Sequence, residues 1–299
     1  MKHLLALFFS VSFLPLGALQ ADTNSHINVP PGKVFVYKTS HGRPQNMEVY
    51  FPEKQGTATH KAPGVLLFHG GSWRAGDLIQ FRYACEYFAK RGLVAATANY
   101  YILSDAAAKA LPGEVSRKRV CVTDAASALR WFKQHADEFG MDSNRVVIGG
   151  GSAGGHIALL ATLQRDLDDP ADPKGIDTSV AGYLFFCSAF TTDGKDNDKS
   201  VDAFAQLKPG IAPSLFLFGE QDSWLPATQK LVPALRQTGA RAELLVADKV
   251  SHMFFRNPGW YDCSLVECDR FLVSLGLLSG EPLVHKPAGI DFNPKKSSM

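Results

Sequence analysis

The sequence predicts an α/β protein: a mostly parallel central sheet, helices on both faces, and an antiparallel N-terminal edge. Two observations carry that prediction. Short continuous apolar runs, the pattern of strands buried on both faces, recur at residues 64–68, 93–98, 145–148, 181–187, 214–218 and 242–246. Helical patterns lie between them at 77–91, 115–139, 153–164, 227–238 and 262–275. Strands that alternate with helices of this length form βαβ units, and their crossovers make neighbouring strands parallel.

Taken in order, the chain begins with Met1-Lys2-His3, a short basic start, followed by an apolar run over residues 4–14. Pro15 and Gly17 break that run before small residues ending at Ala21. This is the layout of a secretory signal peptide. Eleven apolar residues in a helix reach only about 16 Å, roughly half a bilayer's hydrocarbon core, so a cleaved export signal fits better than a membrane anchor. Residues 33–37 and 47–51 alternate polar with apolar and flank a turn at 40–44, as an antiparallel edge pair would. In the helix at 115–139, Val122, Ala125, Ala126, Leu129 and Phe132 recur three and four apart and mark one buried face. Residues 188–213 have little regular pattern and form a candidate insertion near a ligand site. The predicted organisation is a signal peptide at 1–21, one catalytic domain at 22–279 and a flexible tail at 280–299.

Composition removes several alternatives. Among 299 residues, 45% are hydrophobic, too many for a disordered chain. Thirty-one Lys and Arg against 29 Asp and Glu give a net charge of +2, too balanced for an electrostatic nucleic-acid binder and consistent with neutral substrates. The five cysteines (Cys85, Cys121, Cys187, Cys263, Cys268) are scattered, with no C-x-x-C pair, so no metal ribbon or dithiol redox site is expected. Export would place them in an oxidising compartment, yet Cys263 and Cys268 point about 140° apart on one helix and suit a disulfide poorly.

The chemistry concentrates at strand ends. The strand ending at Ile148 runs into Gly149-Gly150-Gly151-Ser152-Ala153-Gly154-Gly155-His156, with an apolar helix following. Gly150-x-Ser152-x-Gly154 is a nucleophile elbow, a strand-to-helix turn so tight that its flanks need glycine. A dinucleotide reading of Gly149, Gly151 and Gly154 is disfavoured because four other strands precede it, and no Lys-Ser/Thr follows for a phosphate loop. His69-Gly70-Gly71-Ser72-Trp73 closes the strand at 64–68, and acyl transfer needs amide donors aimed at an oxyanion. Gly70, Gly71 and Ala153 are the candidates. Asp222 and His252 lie in loops beyond two later strands, in the chain order Ser, Asp, His used by α/β-hydrolases. Asp193, Asp196 and Glu220 are weaker candidates for the acid, and His69 and His156 for the base.

On these residues the chain resembles the α/β-hydrolase esterases, both the exported bacterial acetyl-xylan or feruloyl esterase-like group and the hormone-sensitive-lipase-like carboxylesterases. The resemblance runs through HGGSW at 69–73, YFAKRGLVAATANY at 87–100, CVTDAASALRWFKQHADEFGMD at 121–142, GGSAGGHIAL at 150–159, FGEQDSWLP at 218–226 and SHMFF at 251–255. Ser72 stands where the family often has a third glycine, and Tyr101 where it often has arginine. The resemblance implies an α/β-hydrolase fold, Ser152 as nucleophile, His252 as base, Asp222 as orienting acid, and an oxyanion hole from the Gly70, Gly71 and Ala153 amides. It implies neither metal nor organic cofactor.

The expected activity is hydrolysis of short-acyl esters through an acyl-enzyme, acting outside the cytoplasm, secreted or periplasmic. The expected substrate is a small-molecule or polysaccharide-linked ester, with acetyl or feruloyl groups on plant polysaccharide as candidates. Trp73, Tyr100, Tyr101 and Trp224 are candidate pocket residues, able to stack on sugar or aromatic rings. The competing readings are an exported peptidase or amidase with the same triad, and a non-catalytic binding protein on the same fold. No nucleic-acid partner is expected, and no membrane anchor after cleavage.

Overall fold

The computed structural model describes residues 28–54, 61–113, 115–190 and 198–293. The signal-peptide expectation for residues 1–21 lies outside them, as do Asp193 and Asp196. Among the described residues eight strands form one sheet: β1 (Lys33–Ser40), β2 (Arg43–Tyr50), β3 (Ala62–Phe68), β4 (Val94–Ala98), β5 (Met141–Gly151), β6 (Gly182–Phe186), β7 (Ser214–Gly219) and β8 (Ala242–Ala247). Their order is β1-β2-β4-β3-β5-β6-β7-β8. β1 and β2 pair antiparallel, β2 joins β4 antiparallel, and every later pairing is parallel.

Six α-helices are described: α1 (Ile79–Lys90), α2 (Asp105–Lys109), α3 (Arg117–Gln134), α4 (Ala153–Leu163), α5 (Leu225–Gln237) and α6 (Trp260–Ser274). The pleat of β3 explains the layering. Leu66 and Phe68 face one side, in a core with Leu129 and Phe132 of α3 and Leu160 of α4. Val65 and Leu67 face the other, with Phe81 and Phe88 of α1 and Leu265 and Leu272 of α6. Both faces of the central strands are therefore dry, and their sequences read as unbroken apolar runs. No helix among the described residues is long and apolar enough to cross a membrane.

The topology sets where a site can form. From β3 the chain runs to β4 on one side, while β5 takes the opposite flank. The loops leaving β3 and β5 thus diverge at the carboxyl end of the sheet and open a crevice between them, the usual ligand position in an open α/β sheet.

Two expectations need correction here. The tail expected to be flexible from residue 280 is packed as far as residue 293. Phe292 forms an antiparallel bridge with Ala247 of β8 and is buried against Phe254 and Trp260. The Asn293 amide donates to the Val246 carbonyl at 2.8 Å, and Lys286 joins Glu267 to Asp291. Ile290 and Phe292 supply the apolar surface that holds a segment whose prolines and lysines suggested solvation. Within the stretch at 188–213, the described residues 198–213 carry more structure than their composition suggested, with 3-10 turns at Lys199–Val201 and Phe204–Gln206. Asp198 pins them by accepting from the Arg119 guanidinium at 2.7 and 3.1 Å and from the Ser116 hydroxyl at 3.1 Å. Burial would raise its pKa, but the Arg119 guanidinium, the Ser200 hydroxyl and the Ser116 amide hold the carboxyl down at about 2.

All five cysteines are unpaired and buried, and burial pushes their thiols up. They pack as small apolar side chains.

Candidate active site

β5 ends in Gly151, and Ser152 turns the chain into α4 with φ 50° and ψ −118°. That conformation is strained for any residue with a side chain, and the surroundings hold it in place. The Ser152 amide donates to the Phe186 carbonyl at 2.9 Å, and its own carbonyl accepts from the Ala189 amide at 2.9 Å. Glycine is required at 154 because a Cβ there would overlap the Phe68 carbonyl oxygen, and at 155 because it would overlap the Ser188 hydroxyl. The elbow can be this tight only where β3 and β6 flank it so closely.

His252 follows β8, and its Nε2 lies 2.9 Å from Ser152 Oγ. Its Nδ1 lies 2.9 Å from Oδ2 of Asp222, which follows β7. Asp222 is buried, and its Oδ1 accepts from the Trp224 amide at 2.9 Å, which fixes the carboxylate plane. With Nδ1–H donating to Asp222, Nε2 is left as the acceptor for the serine hydroxyl. The two loops are tied together: the Gln221 amide donates to the Val250 carbonyl, and the Lys249 amide to Glu220 Oε2 at 3.0 Å. Glu220 is therefore a loop clamp, and the carboxylate on the imidazole is that of Asp222.

The other two histidines are committed elsewhere. His69 is buried, its Nδ1–H donates to the Gly70 carbonyl at 2.9 Å, and burial lowers its pKa so that the ring stays neutral. His156 is buried in α4 with Nε2 at 2.8 Å from the Val201 carbonyl.

The oxyanion turn differs from the expected set. The Gly70 amide donates to Gln80 Oε1 at 2.6 Å, so it is already satisfied by the first turn of α1. Among the described residues the amides of Gly71, Ser72 and Ala153 have no acceptor, and these are the donors left for an oxyanion. The turn carrying them is strained, with Gly71 at φ 130° and Ser72 and Trp73 left-handed at 55° and 59°. Gln80 was missed in the sequence because no motif marks it. It is a single polar residue in a helix, and only the fold brings it beneath the turn.

The four candidate pocket residues separate into two pairs. Tyr100 is 1% exposed, stacks on the His69 ring at 4.4 Å, and donates to the His69 carbonyl at 3.0 Å. It supports the oxyanion turn from inside the core. Tyr101 stacks on His41 at 4.6 Å, outside the groove that the tryptophans border. Trp73 and Trp224 do share one open groove of about 1020 Å³, which Ser72 also lines. Trp73 rests edge-on against His156 at 5.2 Å, and the Lys118 ammonium lies 4.3 Å above its ring.

Cys187 also approaches the site: its Sγ and the facing atoms of Asp222 and His252 all lie within 4.8 Å of one another. Thiol, carboxylate and imidazole are metal-ligand types, but their state here does not suit a metal. Burial, together with the charge of Asp222, pushes the Cys187 thiol well up and keeps it protonated, whereas a metal takes thiolate. The imidazole nitrogen facing Asp222 is already hydrogen-bonded to it.

The BD-FAE family matches residues 47–188. The probable carboxylic ester hydrolase LipM of Mycobacterium tuberculosis is 25% identical over 258 residues, covering 82% of this chain and 52% of LipM. The carboxylic ester hydrolase LipN of the same organism is 27% identical over 227 residues, covering 64% of this chain and 57% of LipN. The chain thus spans about half the length of these curated relatives. Among solved structures, Thermogutta terrifontis esterase 2 phosphorylated by paraoxon superposes with a TM-score of 0.75 at 29% identity, covering 85% of this chain and 97% of that one. Its butyrate-bound form gives a TM-score of 0.76 at 28% identity, over 85% and 98%.

Proposed function

We infer, from a chain of α/β-hydrolase fold that resembles the carboxylic ester hydrolases, that this protein cleaves carboxylic esters through an acyl-enzyme on Ser152. The observation that carries this reading is the unbroken chain from Ser152 Oγ to His252 Nε2 and from His252 Nδ1 to Asp222 Oδ2, with 2.9 Å at each link.

In the mechanism this geometry supports, Ser152 Oγ attacks the ester carbonyl while His252 Nε2 takes its proton. Asp222 keeps the proton on Nδ1 and stabilises the imidazolium that forms. The amides of Gly71, Ser72 and Ala153 meet the developing oxyanion, each such donor being worth about 3 kcal/mol of barrier. His252 then protonates the departing alkoxide, and water releases the acid by the same steps in reverse roles.

The substrate reading is a short-acyl ester, with acetyl or feruloyl groups on plant polysaccharide as the candidate class. Support comes from the two indoles beside the oxyanion turn, which suit ring stacking, and from the propionate- and butyrate-bound forms of the Thermogutta esterase. Export supports the same class, and rests on the basic start and apolar run of residues 1–21. A chain-length series of 4-nitrophenyl esters, run beside acetylated and feruloylated xylan, tests the reading. Activity is expected to peak at short acyl groups and to release acetate or ferulate from xylan. Activity that rises steadily with chain length contradicts it.

A further inference from the structure

The groove lined by Ser72, Trp73 and Trp224 includes neighbours of the reacting groups. Trp73 is two residues beyond Gly71 of the oxyanion turn, and Trp224 is the residue whose amide holds Asp222. The groove therefore adjoins the oxyanion turn through Ser72 and the Asp222 loop through Trp224.

The charge of the groove is uneven. Arg117 Nη2 lies 2.6 Å from Asp105 Oδ1, and Arg74 Nη1 reaches the same oxygen at 3.5 Å. One carboxylate is thus shared by two guanidiniums, and Lys109 stands one turn further along α2. Among the described lining residues, Arg74, Lys109 and Arg117 stand against the single Asp105 carboxylate, a surplus of two positive charges. The two guanidiniums also hold the Asp105 carboxyl below its usual range, so its single negative charge is present throughout neutral pH. The indole N–H of Trp73, in a side chain only 7% exposed, has no hydrogen-bond acceptor among the described residues. The chain's overall charge of +2 conceals this local excess.

We propose that the groove receives a carboxylate carried by the ester substrate, held by Arg74, Lys109 and Arg117 with its adjoining group against Trp224. The proposal rests on the esterase reading and narrows it to esters that carry a carboxylate. A charge held at this open surface acts at high dielectric, where each favourable cation is worth roughly a factor of three in binding. Two surplus cations then favour the acidic ester by about five- to tenfold in kcat/KM at low ionic strength.

Two matched pairs place the carboxylate on either side of the scissile bond. The pair 4-nitrophenyl hemisuccinate and 4-nitrophenyl butyrate places it on the acyl part. The pair 3-acetoxybenzoate and its methyl ester places it on the alcohol part. In at least one pair the acidic ester is expected to lead by about five- to tenfold, with the lead shrinking by more than half between about 20 mM and about 0.5 M salt. In Arg74→Gln/Lys109→Gln the ratio within that pair should fall towards one. A purely structural defect would lower both members and leave the ratio in place. Turnover of the neutral esters without a lead above twofold in either pair overturns the proposal while leaving the esterase reading intact. A lead that survives the double substitution also overturns it. If no ester in either pair is cleaved, the esterase reading itself falls, and this proposal falls with it.

Discussion

Asp222→Asn changes one atom in the hydrogen-bond chain, and the structure dictates how the new side chain must sit. Oδ1 accepts from the Trp224 amide at 2.9 Å, so the asparagine carbonyl takes that position. Its NH2 group then faces His252 Nδ1 across the 2.9 Å now spanned by the N–H to carboxylate bond. A donor facing Nδ1 forces that nitrogen to become an acceptor, which moves the imidazole proton to Nε2. Nε2 can then no longer accept the proton of Ser152, although every atom stays in place. The equivalent change in a serine protease triad, a worked case in general enzymology, costs about 10⁴ in kcat, or about 5.5 kcal/mol of barrier. A similar loss is expected here for a short 4-nitrophenyl ester at neutral pH, with KM within a few-fold of the parent enzyme. Thermal unfolding should shift by only a few degrees, because the substitution preserves volume and keeps the Trp224 contact. A loss smaller than about tenfold, with the fold intact, would refute the assignment of Asp222 as the group that sets the His252 tautomer.

Three further outcomes follow from particular contacts. Gln80→Ala removes the acceptor of the Gly70 amide and loosens the oxyanion turn; kcat should fall about tenfold with little change in the urea midpoint, and unchanged kcat would mean other contacts hold the turn. Asp198→Asn should cost roughly 2 kcal/mol of stability at pH 7, since the folded carboxyl titrates at about 2 and an unfolded one near 3.9. A depressed pKa contributes stability above the unfolded value and loses it as pH falls through the folded one, so urea titrations should show the two proteins converging between about pH 4 and pH 2; a constant gap contradicts the ion-pair account. Phe292→Ala should lower stability by about 2 kcal/mol and expose the C-terminal segment to protease, whereas parental protease resistance would contradict the packing of residues 280–293.

Strands and long helices were legible because burial imposes a period on side chains that the sequence preserves. β3 and β7 read as apolar runs because both of their faces are covered. Ser152, Asp222 and His252 were legible for a related reason, since each sits just beyond a recognisable strand. α2 was not. Its five residues are too few to show a period, and it is held by a Ser104 cap whose Oγ accepts from the Ala107 amide at 3.1 Å. Tyr100 was misplaced because a tyrosine after a strand can face water or the core. The decisive contact, its hydroxyl on the His69 carbonyl, joins residues 31 apart. Gly70 was assigned to the oxyanion hole by its exposed amide, and Gln80, from another element, had already taken it. For Tyr100 and Gly70 the hidden feature was a pairing with a residue on another element, which leaves no local pattern.

The central claim is that Ser152 is a nucleophile activated by His252, and stoichiometric labelling by paraoxon tests it most directly. One diethylphosphoryl group per chain should appear by mass spectrometry on the peptide carrying Ser152, with ester hydrolysis lost in proportion. Ser152→Ala should take up no label and lose about four to six orders of magnitude in turnover. Labelling at another residue, or ester cleavage near the parental rate by Ser152→Ala, would contradict the account.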